Sequence, residues 1–189
     1  MDLLTGVFSA FGLSASAGLN AYIPLLVVAL LARFTNLITL NPPWDGLSNP
    51  WVIGLLVMLS VIEFFADKVP AVNHLNDILQ TFVRPVAGAI LFAASAKVIT
   101  DVNPVLSLAA GLLVAGSVHV AKSVAIRPAV TATTGGTANI PVSILEDLLS
   151  TVMSVLSIVI PILFALLVLV FMIWLGRRLW RRSSSRRIA

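Results

Sequence analysis

The stretch that decides the fold is residues 103–126, NPVLSLAAGLLVAGSVHVAKSVAI. Asn103 offers an N-cap side chain, and Pro104 suits the first helical position because no intrahelical N–H bond is needed there. The apolar run that follows exceeds the roughly 20 residues that a helix needs to cross the hydrocarbon core of a bilayer. The stretch therefore predicts a membrane-spanning helix.

The composition of the whole chain agrees with this prediction. Of 189 residues, 59% are hydrophobic and 11% are charged, and the mean hydropathy is +1.04. A soluble domain carries about 25% charged residues, and disordered or nucleic-acid-binding chains carry more. The composition excludes those classes and predicts an all-α integral membrane protein without a nucleic-acid partner.

The charges are unevenly distributed along the chain. The formal net charge is +4, but the arginines of residues 177–189 leave the rest of the chain slightly acidic. Cytoplasmic flanks of spanning helices collect Lys and Arg, so we expect a polytopic membrane domain over 1–176 and a basic cytoplasmic tail over 177–189. The chain has no cysteine and two isolated histidines, so we expect no metal and no cofactor.

Two further helices are predicted from a residue followed by proline. Asn49-Pro50 opens an apolar run over 50–66, and Arg84-Pro85 opens another over 85–99. Both runs are shorter than a full membrane span. We therefore expect either five or six membrane spans in the whole chain.

A last apolar run begins at Ser143 and continues to residue 175, with a kink expected at Pro161. Ser143 and Glu146 have the spacing of a capping box, in which the serine and the acid satisfy free N–H groups of the first turn. This pattern gives Glu146 a structural interpretation beside any functional one.

Two stretches interrupt the apolar pattern. Residues 18–24 lie inside an apolar region that is too long for one helix, and we expect Asn20 to cap its second half. Residues 127–141 are rich in Thr, Gly and Ala and carry one charge, which is too few for an ordinary aqueous loop. Irregular backbone at membrane depth is tolerated inside protein or against a water-filled cavity. We expect a re-entrant or unwound segment there, with a plain external loop as the alternative.

The predicted fold is a compact bundle of about five or six transmembrane helices with one or two broken or re-entrant segments. The two interruptions are similar in sequence, because Gly18-x-Asn20 and Gly136-x-x-Asn139 each lead through a proline into an apolar helix. Paired broken helices are typical of inverted-repeat transporters. Chance similarity in a biased composition is the alternative to such a repeat.

Three stretches carry a resemblance to a known family. They are GLNAYIPLL at 18–26, EFFADKVPAVN at 63–73 and TGGTANIP at 134–141. The chain resembles a bacterial membrane family catalogued as domain of unknown function 4126, over nearly its whole length before the arginine tail. The resemblance implies a multi-pass protein of the bacterial inner membrane and supplies no substrate.

Ionisable residues inside spanning segments mark pathways or binding sites, and here they form two helix faces. The faces carry Glu63, Asp67 and Lys68 on one helix, and His119, Lys122 and Arg127 on another. If the faces meet, the acids and bases hold two helices in register. They also suit a site that binds protons, cations or an anion, as coupled transporters require. Both interpretations are compatible.

The loop before the last helix adds hydrogen-bonding groups. Glycine-rich turns that precede a helix offer free N–H groups to an anion, although a Gly-Gly pair is by itself a weak signal. The candidate substrate- or ion-binding residues are Asn20, Glu63, Asp67, Lys68, Lys122, Arg127, Thr134, Gly135, Gly136 and Asn139, with His119, Thr137 and Glu146 as secondary candidates.

These residues predict a transporter or translocase of a small or lipid-linked charged substrate. The alternative is a non-transporting scaffold or assembly factor that binds a partner membrane protein. We expect no enzymatic activity, although a lipid-phosphate enzyme that uses His119, Lys122 and Arg127 stays open. The expected partners are membrane lipids, a charged small-molecule or lipid-phosphate substrate and a second copy in a homodimer.

Overall fold

The computed structural model describes residues 3–68, 70–95, 103–161, 163, 166–167, 169–174 and 177–178. All regular elements of this part of the chain are helical, which confirms the all-α part of the predicted class. They are α1 (Leu3–Leu19), α2 (Tyr22–Phe34), a 3-10 turn (Trp44–Ser48), α3 (Pro50–Ala66), α4 (Pro70–Ser95), α5 (Pro104–Val120), a π-helical segment (Ala121–Ile126), α6 (Arg127–Thr134) and α7 (Asn139–Val159). The basic tail predicted over 177–189 lies outside the described residues, apart from Arg177 and Arg178.

The Asn-Pro pairs begin helices as predicted. The Asn49 side chain accepts a hydrogen bond from the backbone N–H of Trp51 at 2.9 Å, at the start of α3. Asn103 accepts one from Val105 at 2.9 Å, at the start of α5. In both helices the proline stands at the first position, where no N–H bond is lost.

The predicted break in the N-terminal apolar region is also confirmed. Asn20 separates α1 from α2, and its side-chain oxygen accepts hydrogen bonds from the N–H groups of Tyr22 and Ile23, each at 3.0 Å. Its amide nitrogen donates to Asp147 on α7 at 2.9 Å. One side chain therefore caps α2 and ties the break to a neighbouring helix.

Replacing Asn20 with Ala is expected to lower the free energy of unfolding by about 1–2 kcal/mol, because a lost N-cap costs that much. Reversible unfolding in mixed micelles, followed by circular dichroism, measures the loss. Asn36→Ala is the matched control at an exposed position and should change the free energy by less than about 0.5 kcal/mol. Equal effects of the two substitutions would contradict the capping role.

The helix start predicted at Arg84-Pro85 is wrong. α4 runs from Pro70 to Ser95 with Pro85 inside it. An internal proline costs about 3 kcal/mol in an isolated helix, so burial of the face that contains Arg84 must outweigh that cost. The buried face carries Gln80, Arg84, Ala87 and Leu91. Their spacing of three and four residues is that of one helix face.

The segment 127–141 is mostly helical rather than unwound. α6 occupies Arg127–Thr134, and the chain turns over residues 135–138, where Gly135 and Gly136 have φ of 61° and 88°. Threonine hydroxyls of α6 donate to carbonyls one turn back, so these hydroxyls find their acceptors within the helix itself. The predicted irregular segment therefore shrinks to a short turn.

The capping box predicted at Ser143 is wrong for a related reason. α7 begins at Asn139, so Ser143 and Glu146 lie inside the helix and are buried. α7 ends at Val159, shortly before Pro161, where a kink was predicted. The Glu146 carboxylate is therefore free to bind side chains of other helices.

Helices α1, α4 and α5 pack closely because small residues allow their backbones to approach. A Cβ atom on Gly88 of α4 would lie 2.9 Å from the Gly111 carbonyl oxygen of α5 and would collide with Ala115. The Ser14 hydroxyl of α1 donates to the Gly88 carbonyl at 2.7 Å. Gly88 thus lies where the three helices meet.

Serine hydroxyls join α1 to α7. The Ser16 and Ser154 hydroxyls lie 2.8 Å apart, and Ser150 donates to the Ser16 carbonyl at 3.0 Å. Ser9 donates to the Ser157 carbonyl at 2.6 Å. Interhelical hydrogen bonds of this kind hold helices together when apolar side chains contact lipid as favourably as they contact another helix.

Three helical stretches are long and apolar enough to cross a membrane by length and composition. They are Asn76–Ser95, Pro104–Thr134 and Asn139–Val159. Large apolar side chains such as Trp51 and Leu113 are exposed on the outer surface, whereas Glu63, Arg84 and Lys122 are buried. This distribution is the reverse of that in a soluble protein, where Lys, Glu and Arg are mostly exposed.

Candidate functional site

Four charged side chains from different elements meet in what we call the ion-pair network: Asp67, Lys122, Arg127 and Glu146. Arg127 donates to Asp67 at 3.2 Å and to Glu146 at 2.9 Å. The Lys122 ammonium lies 2.8 Å from the same Glu146 oxygen. Asp77 of α4 lies 3.8 Å from the other side of the Arg127 guanidinium. The two charged faces predicted from the sequence therefore meet.

The π-helical segment explains how both cations reach Glu146. Lys122 and Arg127 are five residues apart, which in an α-helix places them about 140° apart around the axis. Here the Arg127 N–H bonds to the Lys122 carbonyl, so the turn closes over five residues and brings them to the same side. Single π turns of this kind are frequent at functional sites.

Asp67 lies just beyond α3 and is 5% exposed. Asn76 donates to one of its oxygens at 2.7 Å, and Ser143 donates to the other at 3.3 Å. Arg127 donates to the same oxygen as Ser143, so both carboxylate oxygens of Asp67 have hydrogen-bond partners.

The break between α1 and α2 borders the network. The Lys122 ammonium donates to the Leu19 carbonyl at the end of α1, at 2.9 Å. The Asn20 amide binds Asp147, whose second oxygen lies 3.9 Å from Lys68. The Lys122 ammonium thus lies between the helix-end carbonyl of Leu19 and the carboxylate of Glu146. Free carbonyls at helix ends are groups that broken helices present to cations.

Lys68 is more loosely held than the other cations. Its ammonium donates to the Phe64 carbonyl at 2.8 Å and lies 3.1 Å from the centre of the Phe64 ring. Its side chain is 16% exposed. Lys68 therefore lies at the edge of the charged region.

Glu63 lies one turn before Asp67 and pairs with a cation that the sequence did not indicate. Arg84 donates from Nη2 to Glu63 Oε1 at 3.0 Å, and both side chains are almost fully buried. The other guanidinium nitrogen, Nη1, lies 3.1 Å from His119 Nδ1. Arg84 thus links the acid of α3 to the histidine of α5.

The hydrogen bonds around His119 fix its tautomer. Arginine can only donate, so His119 Nδ1 accepts and carries no proton. Thr81 uses its hydroxyl proton on the Asp77 carbonyl at 2.9 Å, so His119 Nε2–H donates to the Thr81 oxygen at 3.2 Å. His119 is therefore neutral, and both of its nitrogens are occupied.

The loop over 134–139 lies away from the network. Thr134 is seven residues beyond Arg127, which is about 10 Å along a helix. The Thr134 hydroxyl bonds to the Val130 carbonyl at 2.7 Å, and the Thr137 hydroxyl to the Thr134 carbonyl at 2.9 Å. Asn139 accepts from Thr131 at 3.2 Å. These contacts are internal to the α6–α7 hairpin, and Gly135 and Gly136 lie at its tip.

The structure thus brings together one part of the predicted set and sets another apart. The charged region contains Asn20, Glu63, Asp67, Lys68, His119, Lys122, Arg127 and Glu146. The hairpin contains Thr134, Gly135, Gly136, Thr137 and Asn139. In the described residues, no group of three or more His, Asp or Glu side chains is arranged to hold a metal ion.

Sequence reasoning missed Arg84, Asn76 and Ser143 as members of the charged region. Asp147, which the sequence gives as a secondary candidate beside Glu146, belongs to it as well. Arg84 was interpreted as a residue before a helix start. The signal that reveals it is the spacing of Gln80, Arg84, Ala87 and Leu91, which places the arginine on the buried face of a continuous helix.

Comparison with known proteins gives a family and no individual relative. No curated protein and no solved structure matches the chain. A family model described as domain of unknown function (DUF4126) matches residues 7–182, a range that includes every charged residue of the site. The chain therefore belongs to the DUF4126 family.

Proposed function

We propose that this protein is a membrane transporter or translocase for a small or lipid-linked charged solute, and that the ion-pair network is its solute site. The observation that carries the proposal is the burial of mutually paired ionisable side chains beside a broken helix and a π turn. Ionisable groups inside a membrane bundle are expensive, and they are usually retained for a pathway.

The outer surface supports placement of the bundle in a bilayer. Apolar side chains cover α3, α5 and α7, and three helices have the length and composition of a span. We infer that the shorter helices α1, α2 and α3 complete the bundle as broken or partial spans, which gives five or six in all. A bacterial inner membrane, a cytoplasmic C-terminus and a homodimer belong to the same proposal.

The balance of charge favours a cationic solute. The ion pairs of the described residues join five carboxylates to four cations: Glu63, Asp67, Asp77, Glu146 and Asp147, with Lys68, Arg84, Lys122 and Arg127. His119 is neutral, so the region carries an excess negative charge when all its acids are ionised. A bound cation offsets that charge, whereas a bound anion increases it.

Lys122 supplies the element that can exchange with such a solute. Its ammonium binds the Leu19 carbonyl and the Glu146 carboxylate, at 2.9 Å and 2.8 Å. An incoming cation can take these oxygen ligands if the flexible lysine side chain withdraws. The site then alternates between a tethered cation and a mobile one, so its oxygen ligands keep a positive partner throughout transport.

The first test uses the absence of cysteine, because a single introduced thiol is labelled without background. Ser143→Cys replaces a buried hydroxyl that bonds to Asp67. In sealed vesicles of either orientation, we expect a membrane-impermeant maleimide to reach this thiol from both sides, at rates that change in opposite directions with pH or added cation. This result requires a site that opens to each side in turn.

Two matched variants make the labelling result specific. Ser154→Cys lies on the same helix, buried against Ser16, and should stay unlabelled from both sides. Thr137→Cys is exposed in the hairpin and should react from one side. If Ser143→Cys reacts from neither side while Thr137→Cys reacts normally, transport through the network is contradicted.

The second test is flux through reconstituted protein. Currents on solid-supported membranes, recorded for a series of monovalent cations and organic amines, identify a transported solute. Glu146→Gln should lower that current by at least about tenfold, because a hydrogen bond to a charged group contributes about 1.5–3 kcal/mol. Asp45→Asn, at an exposed acid of the 3-10 turn, should leave it unchanged. An unchanged current in Glu146→Gln would sink the assignment of the site.

A non-transporting scaffold is the second candidate, and the closed pairing of the network favours it. Arg127 alone joins Asp67, Asp77 and Glu146, which fixes three helical elements in register. If this is its whole role, replacing paired charges together by apolar residues preserves the fold and the function. The labelling of Ser143→Cys separates the two candidates.

A further inference from the structure

Several buried polar atoms around the Glu63–Arg84 pair have no hydrogen-bond partner. They are Ser60 Oγ, Glu63 Oε2, Gln80 Oε1 and Arg84 Nε. Glu63, Gln80 and Arg84 are each at most 2% exposed. A buried polar atom that lacks a partner costs about 1–3 kcal/mol, so a cluster of them indicates a bound group that the protein itself does not supply.

Covalent geometry places these atoms together. The pair makes one hydrogen bond, from Arg84 Nη2 to Glu63 Oε1. Nε and Nη2 share one carbon, and so do Oε1 and Oε2, so the free donor and the free acceptor flank that bond. Ser60 is one turn before Glu63 on α3, and Gln80 is one turn before Arg84 on α4. The unpaired groups therefore belong to the pair itself and to the residues one turn before it on the two helices.

The mixture of donor and acceptors suits water rather than a metal ion. A water molecule can accept from Arg84 Nε and donate to Glu63 Oε2 and Gln80 Oε1, which satisfies three of the atoms at once. A metal cation would lie beside the arginine charge and would leave Nε without an acceptor. Water next to a buried carboxylate provides a route by which a proton reaches Oε2.

We propose that Glu63 is the proton-binding site of this protein and that water held in a gap between α3 and α4, beside Arg84, delivers the proton. The inference rests on the proposed transport function and names its coupling ion. A proton from hydronium in the gap forms the O–H bond at Glu63 Oε2 and leaves a water molecule behind. Glu63 becomes neutral, and the excess negative charge of the region is removed.

The surroundings favour Glu63 over the other titratable groups nearby. The charged and titratable groups that act on it are Arg84 of α4, Tyr22 of α2, Asp67 after α3 and Lys122 of the π segment. His119 cannot take the proton while Nδ1 accepts from Arg84. Asp67 has hydrogen bonds at both oxygens. Asp77 and Asp147 each keep one oxygen without a hydrogen bond, as Glu63 does, but their side chains are 29% and 14% exposed, against 1% for Glu63.

Protonation changes how Arg84 is held. A neutral Glu63 attracts the guanidinium less strongly, whereas the bond from Arg84 Nη1 to His119 is unaffected. His119 lies one turn before Ser123 and next to the π segment, on the helix that carries Lys122. Loss of the ion pair between Arg84 and Glu63 therefore changes how α5 is tied to α3. Because α5 continues into the π segment, the change reaches the segment that carries Lys122.

Infrared difference spectroscopy of the full-length reconstituted protein tests this proposal without a known solute. Acidification should produce the C=O stretching band of a buried carboxylic acid, which shifts in heavy water. The band should be absent from Glu63→Gln and present in Asp147→Asn, Asp77→Asn and Asp45→Asn. Gel filtration in detergent checks that each variant is folded, and Glu63→Gln combined with Arg84→Gln replaces the single variant if that one is misfolded.

Each outcome decides the proposal. Loss of the band in Glu63→Gln or in the double variant, with retention in the three aspartate variants, supports Glu63 as the proton site. A band that persists without Glu63, or that disappears in Asp147→Asn instead, overturns it. The band does not depend on flux, so failure of the proton site is distinguishable from failure of the transport function, which the Ser143→Cys labelling and the currents report.

Discussion

Replacing Arg84 with Leu is expected to lower the free energy of unfolding by about 3–5 kcal/mol, because it leaves Glu63 buried without its charge partner. The substitution also removes the donor to His119 Nδ1 and so breaks the link between α3 and α5. Unfolding in mixed micelles, followed by circular dichroism, measures the change. The loss should decrease as the pH falls, because a protonated Glu63 needs no charge partner.

The double variant Arg84→Leu with Glu63→Leu separates the cost of an unpaired Glu63 carboxylate from the cost of the packing lost at position 84. It should recover most of the stability, since a well-packed apolar pair is often as stable as a buried ion pair. Arg33→Gln, at an exposed arginine of α2, is the control for removal of a cation and should cost less than about 1 kcal/mol. A double variant as unstable as Arg84→Leu would argue against an uncompensated charge as the cause.

Gly88→Val is expected to destabilise the bundle by about 3 kcal/mol, at the upper end of the cost of overpacking. A Cβ atom at Gly88 already collides with Ala115 and approaches the Gly111 carbonyl oxygen at 2.9 Å. Two further methyl groups must therefore push α4 away from α5. The same unfolding measurement, with the yield of monodisperse protein in detergent, records the effect.

Gly54→Val is the matched control for this substitution. Gly54 lies in α3, and a Cβ atom built there meets nothing within 4 Å. The control should change the free energy of unfolding by less than about 0.5 kcal/mol, as surface substitutions do. If the two valine variants are equally stable, the close approach of α4 and α5 is not what holds the bundle together.

These two predictions concern the same helix. α4 presents Gly88 to α1 and α5, and it presents Arg84, one turn earlier, to Glu63 and His119. Close packing of the small residues fixes the position of Arg84, along the α4 axis, between Glu63 and His119. Stability at Gly88 and chemistry at Glu63 are therefore linked through one rigid element, and variants at Gly88 should be checked for altered proton uptake.

The sequence by itself determined the features that depend on neighbours in the chain. The all-helical class follows from composition, and the starts at Asn49 and Asn103 follow from caps that bond to N–H groups two residues away. The break at Asn20 has the same local cause. The sequence also indicated an acid face and a base face on two helices, but it left open whether they meet.

Only the tertiary structure decided which groups pair and where helices continue. Arg84 looked like the residue before a helix start, but burial of its face against α1 and α5 outweighs the missing N–H of Pro85, so α4 continues. Glu146 looked like a capping acid, but α7 begins at Asn139 and frees it for Lys122 and Arg127. These outcomes depend on the energies of contacts between helices distant in sequence, which local spacing does not encode.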